Sequence, residues 1–109
     1  MNKHEFQWSS EEKKIARQSF EKAYENEMEE IKFLLLEKTA KANTPKDIWA
    51  IHDFLFKRRN SIDEKYDYRY SKLILVFSRL IKENYISLEE LTGLSDEKLE
   101  MIKSILSLE

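Results

Sequence analysis

The stretch from Ser9 to Asn43 contains no helix-breaking residue, and it constrains the fold more than any other feature of the sequence. The chain has one glycine, Gly93, and one proline, Pro45, and both lie outside this stretch. Ser9 and Glu12 have capping-box spacing, which predicts the start of a helix. Within the stretch, apolar residues recur every three or four positions and so share one helix face: Ala16, Phe20, Ala23, Tyr24, Met28, Ile31 and Leu35.

The predicted first helix is too long for a compact domain of this size. A helix of about 33 residues is about 50 Å long. A compact chain of 109 residues has a radius of gyration of about 13 Å, hence a diameter of about 34 Å. The helix therefore either projects into solvent or is covered by a second chain, and the apolar run Phe33-Leu34-Leu35-Leu36 favours the second chain.

A second helix is predicted from Thr44 as N-cap and Pro45 at the first helical position. We expect it to run to about Asn60. Ser61 and Glu64 repeat the capping-box spacing, which favours a break or bend there, and a continuous helix remains open. A third helix follows, with its apolar stripe at Tyr66, Tyr70, Leu73, Phe77, Leu80 and Ile81.

The segments after Asn84 are shorter. Ser87 and Glu90 predict a single helical turn ended by Gly93. Ser95 then starts a last helix, whose inward-facing residues are Leu99, Ile102 and Leu106. Residues 1–109 are therefore predicted to form one all-α domain. It is an extended stem of long antiparallel helices over about residues 9–60, followed by the third helix and a small C-terminal helical head over about 61–109.

Composition excludes several classes of function. Charged residues make up 37% of the chain, but the net charge is only −2, so that neither nucleic acid nor anionic lipid is an expected partner. The basic run Lys57-Arg58-Arg59 fits the end of a helix, where cations are favoured. The chain has no cysteine, and no apolar run approaches the roughly 20 residues that a membrane span requires. We expect a soluble, cytoplasmic protein without membrane insertion.

Neither histidine, His4 or His52, has a second metal-ligating histidine at helical spacing. An acid–base enzyme using His52 and Asp53 would need a concave polar pocket around them, but neighbouring helical residues point about 100° apart. We therefore expect no catalytic, cofactor-binding or metal-binding residues, and no enzyme.

The second helix is apolar on more than one side. Ile48, Ile51, Leu55 and Ile62 fall within an arc of about 60°, which is typical of a core stripe. Trp49, His52 and Phe56 form a second arc beside it, and Phe54 lies off the other flank. A helix with this pattern has to be covered on several sides, which favours a dimer.

Arg59 lies at the edge of this apolar surface, and Asp53 is too far along the helix to pair with it in the same chain. Across a two-fold axis between antiparallel helices, Asp53 of one chain could contact Arg59 of the other. Tryptophan and arginine within an apolar patch are typical of binding hot spots. The alternative, that Trp49 is a core residue and Arg59 a solvated helix end, remains open at this point.

These motifs resemble the fluorescence recovery protein family of cyanobacteria. The most specific part is W-x-x-H-D-F-L-x(3)-R, from Trp49 to Arg59, followed by I-D-x-K-Y-D from Ile62. Weaker matches extend the resemblance from about Trp8 to Leu106. It implies a cofactor-free, all-helical homodimer that binds the photoactivated orange carotenoid protein, mainly through that protein's C-terminal domain. Such a protein speeds the return to the inactive orange form and ends non-photochemical quenching at the phycobilisome.

The resemblance also implies site residues. The working surface and dimer contacts would comprise Ile48, Trp49, His52, Asp53, Phe56 and Arg59. Head contacts would comprise Leu75, where the family has a phenylalanine, together with Phe77 and Lys103. The alternative hypothesis is a recovery-protein-like helical adaptor that binds a different partner in a bacterium lacking the carotenoid protein.

Overall fold

All regular secondary structure that the computed structural model describes, over residues 7–108, is helical. This confirms the all-α prediction. The elements are α1 (Ser10–Lys41), α2 (Pro45–Lys65), α3 (Leu73–Lys82), a short 3₁₀ helix (Leu88–Leu91) and α4 (Asp96–Ser107).

The molecule is elongated, as the length of the first helix predicts. Its principal extents are 56 × 24 × 24 Å and its radius of gyration is 17.1 Å. Helix α1 has 32 residues and is therefore about 48 Å long, which is most of the longest dimension. Helix α2 returns antiparallel to α1: the Lys38 ammonium lies over the Phe54 ring, whereas Glu27, earlier in α1, pairs with Lys65 near the end of α2. Together they form the stem.

The predicted helix starts are confirmed by their caps. Ser9 and Glu12 form a reciprocal capping box: the Glu12 N–H donates to Ser9 Oγ at 3.1 Å, and the Ser9 N–H donates to Glu12 Oε1 at 3.0 Å. Thr44 and Asp47 form a second capping box at the start of α2, with proline at the first helical position. Local side-chain chemistry therefore fixes the starts of both helices, and the second box also fixes where the tight turn at the tip of the stem ends.

The break favoured at Ser61 is absent. Helix α2 continues to Lys65, because Ile62 and Lys65 are both buried beside α1. Leaving the helix at Ser61 would take these two side chains out of their contacts. Tertiary packing therefore overrides the local capping signal.

The third helix begins at Leu73 and not at Tyr66, so that prediction was wrong at its start. Residues 66–72, here called the tyrosine strap, have no helix. Their alternate tyrosines pack on α1: Tyr66 and Tyr68 lie edge-on to the Phe20 ring, at 5.4 and 4.7 Å between centroids, and Tyr70 contacts Trp8 at 5.7 Å. In an extended segment every second side chain faces the same way, which a helix cannot achieve.

The head is built around one apolar core. Its fully buried large side chains are Leu73, Phe77, Leu80, Leu91 and Ile102. Ala16 and Ala23 let the first half of α1 approach this core closely. Gly93 ends the 3₁₀ helix with φ of +112°, and a Cβ added there would lie 2.5 Å from Ile15 Cδ1. Of the residues predicted to face inward from α4, Ile102 is fully buried, while Leu99 and Leu106 are partly buried against the core.

Candidate functional site

The candidate site is the exposed arc of α2 next to the arc that packs on α1, here called the open face. At 100° per residue, its members fall within an arc of about 100°: Ile48, Trp49, His52, Phe56, Arg59 and Asp63. The exposed fractions are 53% for Ile48, 66% for Trp49 and 60% for Phe56. Trp49 is therefore not a core residue, and Ile48 lies outside the core stripe in which the sequence placed it.

The exposure of Ile48 follows from the geometry of the hairpin. Ile62 is buried, and Ile51 and Leu55 are partly buried. Leu55 and Ile62 line the groove toward Ile31 of α1. A single neighbouring helix covers only this arc of α2, so the next arc stays uncovered. The open face is thus an apolar surface held rigidly on a helix.

His52 connects the aromatic side chains of the open face. Its ring stacks on Phe56 with an interplanar angle of 18°, and lies edge-on to Trp49; both centroid separations are 6.3 Å. His52 Nδ1 is 3.4 Å from Asp53 Oδ1, and the two side chains are 65% and 72% exposed. Side chains this exposed on a helix surface do not form the concave polar pocket that the acid–base hypothesis requires.

Arg59 and Asp53 do not pair within the chain, as the helix geometry predicts. Arg59 Nε is instead 3.7 Å from Asp63 Oδ2, one helical turn further on, and both side chains are largely exposed. An exposed pair of this kind contributes little to stability. The guanidinium of Arg59 therefore remains accessible to a partner.

Apolar surface continues from the open face onto α1. A groove of about 420 Å³ between the two helices is lined by Tyr24, Met28 and Leu55, with Arg59 at its edge. Tyr24 and Met28 are 42% and 41% exposed. Elsewhere on α1, Phe33 and Leu36 are about three-fifths exposed. Exposed apolar area of this extent is typical of an interaction surface.

In the head, the structure separates the three predicted contact residues. Leu75 is 57% exposed and lies beside Ile105 and Leu106 in a shallow groove. Lys103 is also at the surface, paired with Glu100 at 3.4 Å. Phe77 has no exposed surface, because its side chain fills the centre of the head core. As a surface contact of this protomer, Phe77 is therefore a wrong assignment, whereas Leu75 and Lys103 are accessible.

Sequence reasoning missed a buried ionic cluster where the stem meets the head. Arg58, which the sequence placed as a helix-end cation, instead points inward to Glu27 and Glu30 of α1. Glu27 is 2% exposed and Lys65 4%. The signal was present in the sequence: Glu27 lies midway between Ala23 and Ile31 on the apolar stripe of α1, where a solvated charge would not be placed.

The contacts of the cluster shift the pKa values of Glu30, Arg58 and Tyr66. Hydrogen bonds from Tyr85 and Arg58 lower the pKa of Glu30. Burial acts to lower the pKa of Arg58, but Glu30 and Glu27 more than offset it, so that this pKa is raised. Burial, followed by the hydrogen bond to Glu27, raises the pKa of Tyr66. At physiological pH, Glu30 and Arg58 are therefore held in their charged forms and Tyr66 in its neutral form.

Among the described residues, no three potential metal ligands of the His, Cys, Asp and Glu types cluster together. His4 lies outside those residues. No helix within residues 7–108 has the length and apolar character needed to cross a bilayer.

Comparison with known proteins identifies the family. The sequence profile of the photoprotection regulator fluorescence recovery protein matches residues 8–106. The chain is 38% identical over 98 residues to the fluorescence recovery protein of Synechocystis sp. (strain PCC 6803), and the match covers 90% of each chain. The solved structure of the Fremyella diplosiphon fluorescence recovery protein matches with a TM-score of 0.88 and 41% identity, covering 94% of this chain and 100% of that one. The solved Synechocystis structure matches with a TM-score of 0.88 and 37% identity, covering 93% and 99%. The chain therefore belongs to the fluorescence recovery protein family of photoprotection regulators.

Proposed function

We propose that this protein binds the photoactivated orange carotenoid protein, mainly through the C-terminal domain of that partner. In doing so it accelerates the return to the inactive orange form and ends non-photochemical quenching at the phycobilisome. It acts in the cytoplasm and reaches the phycobilisome through its partner. Membership of the family supports this role. The observation that carries it is the open face, where three large apolar side chains are more than half exposed.

A second copy of the chain is the first partner of this surface in our proposal. A two-fold axis beside α2 would place the open faces of two protomers against each other, because such an interface is self-complementary. Ile48 and Phe56 would then become buried, while Trp49, at the far edge of the arc from Ile48, would lie at the rim of the interface. Asp53 of one protomer would meet Arg59 of the other and replace their weak contacts within the chain. Residues not covered by the second copy remain available to the carotenoid protein.

The action on the carotenoid protein follows from differential binding. A regulator that does no chemistry speeds a conformational change only by binding some states along the path better than others. Holding two separated domains on one body also raises their effective concentration. A long rigid body suits both effects, and the extent of 56 Å provides it. Leu75 and Lys103 in the head provide a second contact region, distant along the chain from the open face.

Binding can be tested with the separate domains of an orange carotenoid protein. On gel filtration with light scattering, we expect the C-terminal domain to form a complex with this protein, and the N-terminal domain alone to form a weaker one or none. Trp49→Ala should weaken the complex, whereas Lys57→Ala, an exposed substitution outside the arc of the open face, should not. Failure of the wild-type protein to bind either domain, while remaining a folded dimer, would favour the alternative adaptor role in a bacterium lacking the carotenoid protein.

A further inference from the structure

Helix α2 makes no contribution to the apolar core of the head. Over residues 7–108, that core draws its buried side chains from Trp8, the first half of α1, α3, the 3₁₀ helix with its flanking residues, and α4. Ala23 is the last residue of α1 in it, and no residue between Pro45 and Lys65 belongs to it. The helix that carries the open face is therefore attached to the head by something other than core packing.

That attachment is the buried ionic cluster, here called the joint. At its centre is the Glu27 carboxylate, which is bound from three directions. Lys65 Nζ lies 2.7 Å from Glu27 Oε1, and the Tyr66 hydroxyl donates to the same oxygen at 2.9 Å. Arg58 donates to Glu27 Oε2 at 3.2 Å. Glu27 thus ties α1 to two positions on α2 and to the start of the tyrosine strap.

The outer members of the joint connect α2 to the head. Lys65 also donates to Glu83, just beyond the end of α3, at 2.7 Å. Arg58 donates to Glu30 at 2.8 Å and to the Tyr85 hydroxyl at 3.2 Å. Tyr85 in turn donates its hydroxyl proton to Glu30. Two cations of α2 therefore meet three carboxylates, two from α1 and one from the head.

From this arrangement we infer that the joint sets the direction of α2 relative to α1 and the head, so that Glu27, Arg58 and Lys65 are positioning residues for the open face. Apolar contacts are non-directional and tolerate sliding, whereas charged hydrogen bonds at fixed distances define both translation and rotation. A buried ion pair is also a poor device for stability alone, because an apolar replacement often serves as well. Geometric specification is the role that remains.

The leverage of the joint on the open face is large. Helix α2 has 21 residues and extends about 30 Å, so a rotation of about 10° at its base moves its tip by about 5 Å. Trp49 is near that tip, whereas Leu75 is on the head. A partner that contacts both surfaces at once therefore requires the joint to hold them at one separation. The functional consequence rests on the function proposed above; the geometric one does not.

Spin-label distances test the geometric consequence directly. The chain has no cysteine, so that Lys46→Cys on the stem and Ser104→Cys on α4 introduce two unique labelling sites, both exposed. Labelled chains are diluted with unlabelled chain so that distances within one protomer dominate. We expect a single narrow distribution for the parent protein. Glu27→Gln with Lys65→Met should broaden it or shift it by about 5 Å.

Two further variants complete this test. Tyr85→Phe removes one hydroxyl from the joint and keeps the ring, so it can be measured even if the double variant fails to fold. We expect it to broaden the distance distribution less than the double variant does. Asp67→Asn with Arg69→Met removes an ion pair that lies within the tyrosine strap, and it should leave the distribution unchanged. Narrow, unshifted distributions in every foldable joint variant would overturn the inference.

A functional measurement separates this inference from the proposed function. We expect the joint variant to bind the isolated C-terminal domain of the carotenoid protein as the parent does. Its acceleration of recovery of the full-length carotenoid protein should fall by about tenfold or more, because the two surfaces no longer engage together. Equal acceleration by variant and parent would overturn the positioning role. If the parent itself gives no acceleration, the proposed function fails, and the spin-label distances still decide whether the joint sets the geometry.

Discussion

The substitution Ile48→Glu distinguishes an open face that is solvated from one that is covered by a second protomer. Ile48 is 53% exposed in the protomer, so a glutamate there can remain hydrated, and an exposed substitution usually changes stability by no more than about 0.5 kcal/mol. Ile48 also lies in the first turn and a half of α2. A negative charge near a helix N-terminus is favourable, by about 0.3–1 kcal/mol. The isolated protomer should therefore be as stable as before, or slightly more so.

The effect on the dimer has the opposite sign. Two-fold symmetry places the new carboxylate in the interface twice. Burying an unpaired charge costs several kcal/mol, so with about 3 kcal/mol for each copy the dimer loses about 6 kcal/mol. Each 1.4 kcal/mol is a factor of about ten, which corresponds to a dissociation constant about 10⁴-fold higher. A dimer held with nanomolar affinity would then be monomeric at micromolar concentration.

Light scattering over a series of protein concentrations measures this change, and chemical denaturation confirms that the protomer stays folded. Lys57→Glu is the matched control: it introduces the same side chain at an exposed position about 180° around α2 from Ile48. We expect that control to remain dimeric. A dimer of unchanged affinity in Ile48→Glu would refute the assignment of the open face as the interface.

Three further predictions concern the protomer, and each is measured by urea denaturation. Phe77→Ala should reduce the free energy of unfolding by about 3–5 kcal/mol, since Phe77 is fully buried. Phe56→Ala, measured in the monomeric Ile48→Glu background, should change the free energy of unfolding by less than about 0.5 kcal/mol. Similar losses from both substitutions would contradict the placement of the two rings. Gly93→Ala should cost about 1–3 kcal/mol, because φ is +112° and the added Cβ would meet Ile15; an unchanged midpoint would contradict this. Burial and then hydrogen bonding, to Glu27 for Tyr66 and to Glu30 for Tyr85, raise the pKa of each tyrosine. The stability that they contribute is therefore fully present below pH of about 10 and decreases as the pH rises further, by at most about 1.4 kcal/mol per pH unit for each tyrosine. Removing both hydroxyls with phenylalanine should flatten that slope, and an equally steep slope would contradict the assignment.

The parts of the fold that the sequence predicts are those set by local chemistry. The caps at Ser9 and Thr44 depend on side chains that bond to backbone within three residues, so sequence spacing alone identifies them. Ser61 has the same spacing without the cap. At Ser61 the helix continues because Ile62 and Lys65 contact distant parts of the chain. Spacing along the sequence carries no information about those contacts.

The tyrosine strap shows how one pattern admits two interpretations. Tyr66 and Tyr70 are four residues apart, which fits a helix, but Tyr68 between them gives a period of two, which fits an extended segment. The ring of Phe20 on α1 and the ring of Trp8 just before it select the second form. Which side of α1 the strap packs against depends on the head core, and that core forms only in the folded chain.

The candidate site was only partly predictable, because spacing along the sequence does not show which contacts form across the folded chain. An apolar composition on several sides of α2 indicates that more than one neighbour is needed, but it does not say which side the chain itself covers. Spacing alone leaves open whether Trp49 is a core residue, and it puts Ile48 in the core stripe, whereas both side chains are exposed in the protomer. In the head, the apolar stripe correctly includes Phe77, and only the assembled core shows that its ring is inaccessible. The place of Glu27 on the apolar stripe of α1 indicates that it is buried, but its partners Arg58 and Lys65 lie across the hairpin and are identified only in the folded chain.

Recovery kinetics show directly whether this protein returns a photoactivated carotenoid protein to its inactive form. Photoactivated orange carotenoid protein is mixed with increasing amounts of this protein in the dark, and the red-to-orange absorbance change is followed. We expect a recovery rate that rises with the concentration of this protein and reaches a plateau, with a smaller rise for Trp49→Ala. A rate that stays at the value of the carotenoid protein alone, at saturating concentration, would contradict it.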